Sequence, residues 1–334
     1  MNSLYPLKFE PIIKDLIWGG SKLKTLLNKE KATEKSGESW EISGVNGNIS
    51  VISNGFLAGN SLTEIIEVYM GDLVGQKVFD QFGNNFPLLI KFIDACDDLS
   101  IQVHPNDETA MQRHNSFGKT EMWYVMQADT GSQLIAGFKQ NTDKESFLEN
   151  LNNNTLHHIL NYITVKPGDV FFMPAGRIHA IGKGILLAEI QQTSDITYRV
   201  YDYNRRDAMG NARELHTSLA LDVIDYNTCA DYTTPYAHKQ NKPVPLANCN
   251  YFTTNLLELT DIIERDMAGF DSFIVYICTE GNAEILYADH KTETISKGET
   301  ILIPAEMGQY YLKALPKATL LEVYIAYNPE EDAD

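Results

Sequence analysis

Gly168-Asp-Val-Phe-Phe-Met-Pro174 and Gly298-Glu-Thr-Ile-Leu-Ile-Pro304 repeat one pattern: a glycine, five residues and a proline, with an acid after the glycine and an apolar run before the proline. The glycine opens a turn into a strand, and the proline, which lacks the ladder donor, ends it. Past the proline the two copies differ. Pro174-x4-His179 keeps an imidazole able to ligate a metal, whereas Pro304-x4-Gln309 puts an amide at the matching place. A repeat of this kind predicts two related β units, the first with a metal ligand and the second without.

Outward from these copies the chain predicts short strands at Trp40–Ser43, Leu88–Asp94, Met122–Gln127, Ile185–Gln191, Phe273–Cys278, Glu284–Tyr287 and Leu320–Ile325. They are rich in β-branched and aromatic residues and bounded by turn formers, as in antiparallel sandwiches and barrels. Helical periodicity is confined to Ser61–Phe82, Asp143–Tyr162 and Glu214–Asp225, with Ser61 and Glu64 at capping-box spacing and Thr142 or Asp143 as a cap. These helices are predicted as insertions in a mainly β scaffold. The pattern breaks down between Asp225 and Asn250, around Pro235, Pro243 and Pro245, which divides the chain into residues 1–230 and 231–334.

Length agrees, since 334 residues are too many for one ordinary core. The net charge of −18 repels a nucleic-acid backbone or an anionic membrane, so neither is an expected partner. A phosphorylated small molecule would need inward-pointing cations acting against that field. The four cysteines, Cys96, Cys229, Cys249 and Cys278, have no CxxC spacing and are expected to be free thiols. Residues 1–11 lack the apolar run of a secretory signal, and no stretch approaches the ~20 apolar residues of a membrane span, so the expectation is a cytoplasmic protein. Oligomeric state is left open.

Chemistry concentrates in Leu99-Ser-Ile-Gln-Val-His-Pro105. On a strand, Gln102 and His104 share a face. With Glu121, in Gly118-Lys-Thr-Glu-Met-Trp-Tyr124, and His179 they offer two imidazoles, a carboxylate and an amide oxygen. That set suits Zn²⁺, and Fe²⁺, Mn²⁺ or Co²⁺ would also accept it. With one anionic ligand a divalent ion keeps a charge near +1, which favours an oxygen-rich or anionic substrate at an open position. A lone histidine is more often structural, and His114, His157, His158, His216, His238 and His290 are left in that class.

Gly168-x5-Pro174-x4-His179 looks like the second metal motif of the cupin superfamily, and Ser100-Ile-Gln-Val-His-Pro105 is similar to the signature of type I mannose-6-phosphate isomerases in their short bacterial form. Trp18-Gly-Gly-Ser-Lys-Leu23, Glu38-Ser-Trp-Glu-Ile-Ser43, Lys119-Thr-Glu-Met-Trp123 and Gln191-Gln-Thr-Ser-Asp195 resemble that family too, in the expected order. The resemblance implies two cupin-type (jelly-roll) barrels and zinc held by Gln102, His104, Glu121 and His179. It also implies an essential arginine at Arg199, with Lys91, Ser100 and Lys119 lining the substrate pocket or its phosphate end. The implied activity is interconversion of mannose 6-phosphate and fructose 6-phosphate through an enediol(ate). One departure stands out, because the usual cupin His-x-His with a nearby Glu is here Gln-x-His with Glu121 after an inserted segment.

Alternation on one strand puts Lys91 among inward apolar residues, where its charge needs either a substrate phosphate or a structural ion-pair partner. Lys119 shares a face with Glu121 if the strand extends that far. Arg199 has Asp195 and Asp202 as alternative partners, and Glu189, between apolar neighbours, is a candidate acid/base. No Walker-type loop is present, which argues against nucleotide binding. Two other readings stay open: an iron-dependent cupin oxygenase, which prefers two close histidines to Gln102 with His104, and a non-catalytic sugar-phosphate-binding cupin.

Overall fold

The computed structural model describes residues 3–206, 209–267, 269–288 and 290–326. The chain is mainly β, as its patterning predicts, and its strands form three sheets. One six-stranded sheet runs, edge to edge, Ile12–Gly20, Ser36–Ser43, Leu88–Ala95, Ile185–Gln192, Glu121–Ala128 and Val170–Met173. A five-stranded sheet has the order Tyr198–Tyr201, Ile101–Val103, His179–Ile181, Gln133–Phe138 and Leu160–Thr164. The third sheet is built within residues 244–324 around the long strands Ile274–Tyr287 and Gln309–Tyr324.

Strand periodicity distributes the side chains of the six-stranded sheet between two layers. Leu88, Ile90, Phe92, Met122, Tyr124, Leu186, Ala188 and Ile190 pack with Val275, Ile277, Leu302, Leu321 and Val323 of the third sheet. The alternate residues Ile93, Trp123, Val125, Ile185 and Leu187 face inward, with Leu134, Ala136 and Ile181 of the five-stranded sheet. With both faces covered, these strands are apolar almost throughout, as buried strands are. Polar residues on the inward face are therefore the exceptions, and they include Lys91, Glu121, Glu189 and Gln191, all buried, and the half-buried Glu38.

The two glycine-to-proline copies fold alike. Gly168 and Gly298 take φ of 89° and 87°, in the region that favours glycine, and each leads into a four-residue strand, Val170–Met173 and Thr300–Ile303. Beyond the proline the copies part, because His179 is buried at the start of a strand whereas Gln309 is exposed and bonds Glu264. The interior of the third sheet holds Glu322, which accepts from Tyr276 (2.9 Å) and Asn255 (3.1 Å) and lies 2.5 Å from Arg265.

Helices depart from expectation in extent. The predicted Ser61–Phe82 helix is two, Leu62–Val74 and Gln76–Phe82, broken at Gly75 (φ 96°), with the Ser61/Glu64 capping box formed. The predicted Asp143–Tyr162 helix, capped by Asp143, stops at Asn152; Leu156–His158 is a 3-10 turn, and Leu160–Thr164 joins the five-stranded sheet. Only Thr217–Leu221 of the predicted Glu214–Asp225 helix forms. Residues 222–243 contain no helix or strand. Among the described residues no helix is long and apolar enough to cross a membrane, and the four cysteines are free.

Candidate metal centre and active site

Backbone register assembles the site. Arg199, Gln102, His179 and Ala136 are successive partners across four strands of the five-stranded sheet. On the opposing sheet Trp40, Lys91, Glu189, Trp123 and Phe171 form one row across five strands, with Glu121 paired to Gln191 in the next inward row. The two sheets thus press a row containing Gln102 and His179 against one containing Lys91, Glu189 and Trp123.

Local turns bring His104 and Glu121 to the same point. After Pro105 the chain makes the helix Asp107–His114, capped by Asn106, and returns so that Lys119 N donates to Pro105 O at 3.1 Å. The inserted segment is thus a closed excursion that leaves Glu121 beside His104. The turn before His179 is tied in by Gly176 N donating to His104 O at 2.9 Å.

His104, Glu121 and His179 place one ligand atom each within 4.8 Å of one another. His104 Nδ1 donates to Ile196 O and His179 Nδ1 to Arg177 O, both at 2.8 Å, which turns both Nε2 lone pairs inward. Those Nε2 atoms lie 3.2 Å and 3.6 Å from the two oxygens of Glu121. The carboxylate oxygens lack a well-formed hydrogen bond, though Lys119 Nζ sits 2.5 Å from Oε1. The Gln102 amide contacts His179 Nε2 at 3.4 Å, and a half-turn presents its oxygen instead. Oriented imidazoles, an under-bonded buried carboxylate and an amide are a donor set that fits a divalent cation.

Electrostatics agree. Burial, then the Lys119 charge, pushes His104 down to about 3, and burial also lowers His179, so both are neutral and ready to ligate at neutral pH. Burial would raise Glu121, but the Lys119 charge beside it holds it well below the ordinary carboxylate range. Glu189 goes the other way, raised by burial and by the Glu121 charge. Its Oε2 accepts from Trp123 Nε1 at 2.8 Å and its Oε1 lies 3.1 Å from Lys91 Nζ.

Beside the cluster is a cavity of about 170 Å³ whose walls include Lys91, Ser100, Gln102, Lys119, Glu189 and Arg199. Every residue singled out from sequence lies here or in the ligand cluster. Of the two readings of Lys91, the ion pair is present: burial would lower its pKa, but Glu189 and Glu38 raise it. Arg199 bonds neither carboxylate considered for it; its Nε donates to Ser100 Oγ at 3.3 Å and its Nη1 to Glu214 O at 2.9 Å. Asp202 instead holds Arg205 and Arg213. Sequence reading missed four residues here. Glu38, which accepts from Trp40 Nε1 at 2.6 Å, and Trp40 sit at alternate positions of one strand, so the period-2 rule could have found them. Trp123 shares a face with Glu121 by the same rule. Arg213 comes from an irregular loop and left no local signal.

A mainly β chain with this inward-facing His/Glu/His cluster and a polar cavity beside it defines a cupin with a candidate metal centre. Comparisons with known proteins narrow the class. Residues 7–136 match the description "Phosphomannose isomerase type I, catalytic domain" and residues 245–325 "Mannose-6-phosphate isomerase, cupin domain". The chain is 34% identical to mannose-6-phosphate isomerase ManA of Bacillus subtilis over 92% of its own length and 96% of the relative's. It is 32% identical to the mannose-6-phosphate isomerase of Streptococcus mutans, over 90% and 92%. The crystal structure of a Bacillus subtilis mannose 6-phosphate isomerase superposes with a TM-score of 0.86 at 31% identity, covering 96% of this chain and 99% of that one. The chain belongs to the type I phosphomannose isomerase family, and it is an isomerase.

Proposed function

We propose that the chain interconverts mannose 6-phosphate and fructose 6-phosphate through an enediol(ate), with zinc held by Gln102, His104, Glu121 and His179. What carries the reading is the His104/Glu121/His179 cluster beside one small polar cavity whose wall holds Gln102, Lys119 and Glu189, in a chain whose relatives bear that activity by name. The four unpaired cysteines suit a reducing, cytoplasmic setting.

Isomerisation moves a proton between C2 and C1 of the open-chain sugar while negative charge builds on the neighbouring oxygens. A divalent cation at the cluster supplies a fixed positive charge for those oxygens. Glu189, whose raised pKa makes it a stronger base than an ordinary glutamate, takes the proton from C2 and returns it to C1, while the O2 hydroxyl proton passes to O1 within the enediolate. Trp123 and Lys91 fix the two oxygens of its carboxylate. Arg199 and Lys119 place permanent cations along the cavity wall and stabilise the enediolate charge. Lys91 and Ser100 line the pocket, Ser100 by accepting from Arg199 and thereby aiming it.

The test is a coupled assay of mannose 6-phosphate conversion before chelation, after it, and with zinc restored. Turnover should vanish on chelation and return with zinc. Unchanged turnover after verified metal removal refutes the zinc-dependent mechanism.

A further inference from the structure

The cations nearest the ligand cluster are already matched. Lys91 is paired with Glu189 and Glu38, and Lys119 with Glu121. A substrate phosphate brings about two more negative charges; Lys91 is spent on its two glutamates, and Lys119, beside the ligand cluster, serves the enediolate oxygens rather than the far end of the sugar.

Farther along the cavity the balance reverses. Arg199 lies one strand outward from Gln102, and its guanidinium bonds the backbone of Glu214, the residue after Arg213. Arg213 also lines the cavity. Its Nε and Nη2 form a two-pronged contact with Asp202, at 2.8 Å to Oδ2 and 2.5 Å to Oδ1. That leaves Nη1 without a hydrogen-bond partner among the described residues. Asp202 is shared with Arg205, at 2.6 Å, so one carboxylate serves two guanidiniums. After the effect of burial, the Arg213 charge is the largest influence lowering the pKa of Arg199. At this end the cavity wall carries Arg199 and Arg213 against the single carboxylate of Asp195, a local positive excess in a chain of net charge −18.

We propose that Arg213 receives the phosphate of the substrate, with Asp202 as the positioning residue that fixes its fork. The substrate then lies with C1 and C2 between the ligand cluster and Glu189, its chain passing Arg199 and its phosphate at Arg213. A planar guanidinium held along one edge and open along another is suited to phosphate oxygens, where a lysine would offer only a point charge. The assignment rests on the sugar-phosphate reading above and goes beyond it in naming the recognising group.

Steady-state kinetics on Arg213→Gln and Arg213→Lys, with inorganic phosphate as competitive inhibitor, test it. For Arg213→Gln, KM for mannose 6-phosphate and the inhibition constant of phosphate should both rise about tenfold or more, the loss expected for a charge-assisted hydrogen bond. Turnover number should change far less, zinc content should hold, and Arg213→Lys should recover part of the loss. A folded Arg213→Gln enzyme with unchanged KM and phosphate inhibition, or with its whole loss in kcat, overturns the assignment. If the wild-type chain binds phosphate through Arg213 but does not convert mannose 6-phosphate, the isomerase reading fails and the phosphate site stands. If it converts the sugar with phosphate inhibition indifferent to Arg213, the reverse holds. Should Arg213→Gln not fold, Arg213→Lys decides, with wild-type constants contradicting the two-edged guanidinium role.

Discussion

Trp123 donates its indole N–H to Glu189 at 2.8 Å, and its ring meets His179 edge-on at a centroid distance of 5.3 Å. One fully buried side chain therefore touches both the proposed proton carrier and a candidate metal ligand. The indole N–H stabilises the ionised form of Glu189, so its removal raises that pKa further. Trp123→Phe keeps most of the apolar contact and loses the donor. The acid limb of the pH–rate profile should move to higher pH and kcat should drop by roughly tenfold, with zinc content retained. A profile superimposable on wild type would show that the indole N–H is unimportant to Glu189.

Arg199→Lys tests whether the guanidinium acts on the substrate or on the fold. Lysine keeps the charge but cannot bond Ser100 and Glu214 O together. Turnover should fall by about a hundredfold, in the range seen when a preorganised donor is removed, with little loss of metal. Equal loss of activity and metal content would assign Arg199 a structural role.

The two site histidines give the metal-free protein a pH-dependent stability of known sign. His104 titrates near 3 in the fold and at its ordinary value of 6.5 unfolded, so between these values the unfolded chain binds the extra proton. Its contribution is fully present above 6.5 and is lost as pH falls toward 3, at roughly 1 kcal/mol per pH unit. His179 and Glu121 are shifted in the same sense, while the raised Glu189 opposes them. Urea denaturation of chelated protein should show clearly lower stability near pH ~5 than near neutrality. A flat profile would mean that the histidines are protonated in the fold.

The third sheet makes a separate prediction. Buried Glu322 is held by the side chains of Arg265, Tyr276 and Asn255. Arg265→Met strands the carboxylate and should cost about 3–5 kcal/mol, measured by chemical denaturation. Zinc content at the cluster should be unaffected in the folded fraction. A cost near zero would show that the carboxylate does not depend on Arg265.

The ligand cluster was legible in sequence because its members obey short-range rules. Gln102 sits in the strand Ile101–Val103 and His104 follows at period two, while His179 comes after a turn set by Gly168 and Pro174. Glu121 was named from the Lys119-Thr-Glu-Met-Trp123 motif across an inserted segment, and it reaches His104 because that segment closes on itself, Lys119 N donating to Pro105 O. Family resemblance supplied Lys91, Lys119 and Arg199 as site residues, while their ion pairs depend on which strands become neighbours, which no local pattern encodes. Lys91 meets Glu189 only because Leu88–Ala95 and Ile185–Gln192 pair in one register. Helix lengths failed for the opposite reason. The apolar residues of Leu160–Thr164 suit a helix or a strand, and the free edge of Gln133–Phe138 decides for the strand.

Anomalous diffraction from crystals grown with zinc tests the central claim most directly. The expected map has one strong peak in the N-terminal half of the chain, about 2.0–2.2 Å from Nε2 of His104, Nε2 of His179, a carboxylate oxygen of Glu121 and the amide oxygen of Gln102. A peak bound by other residues, or none at saturating zinc, contradicts it.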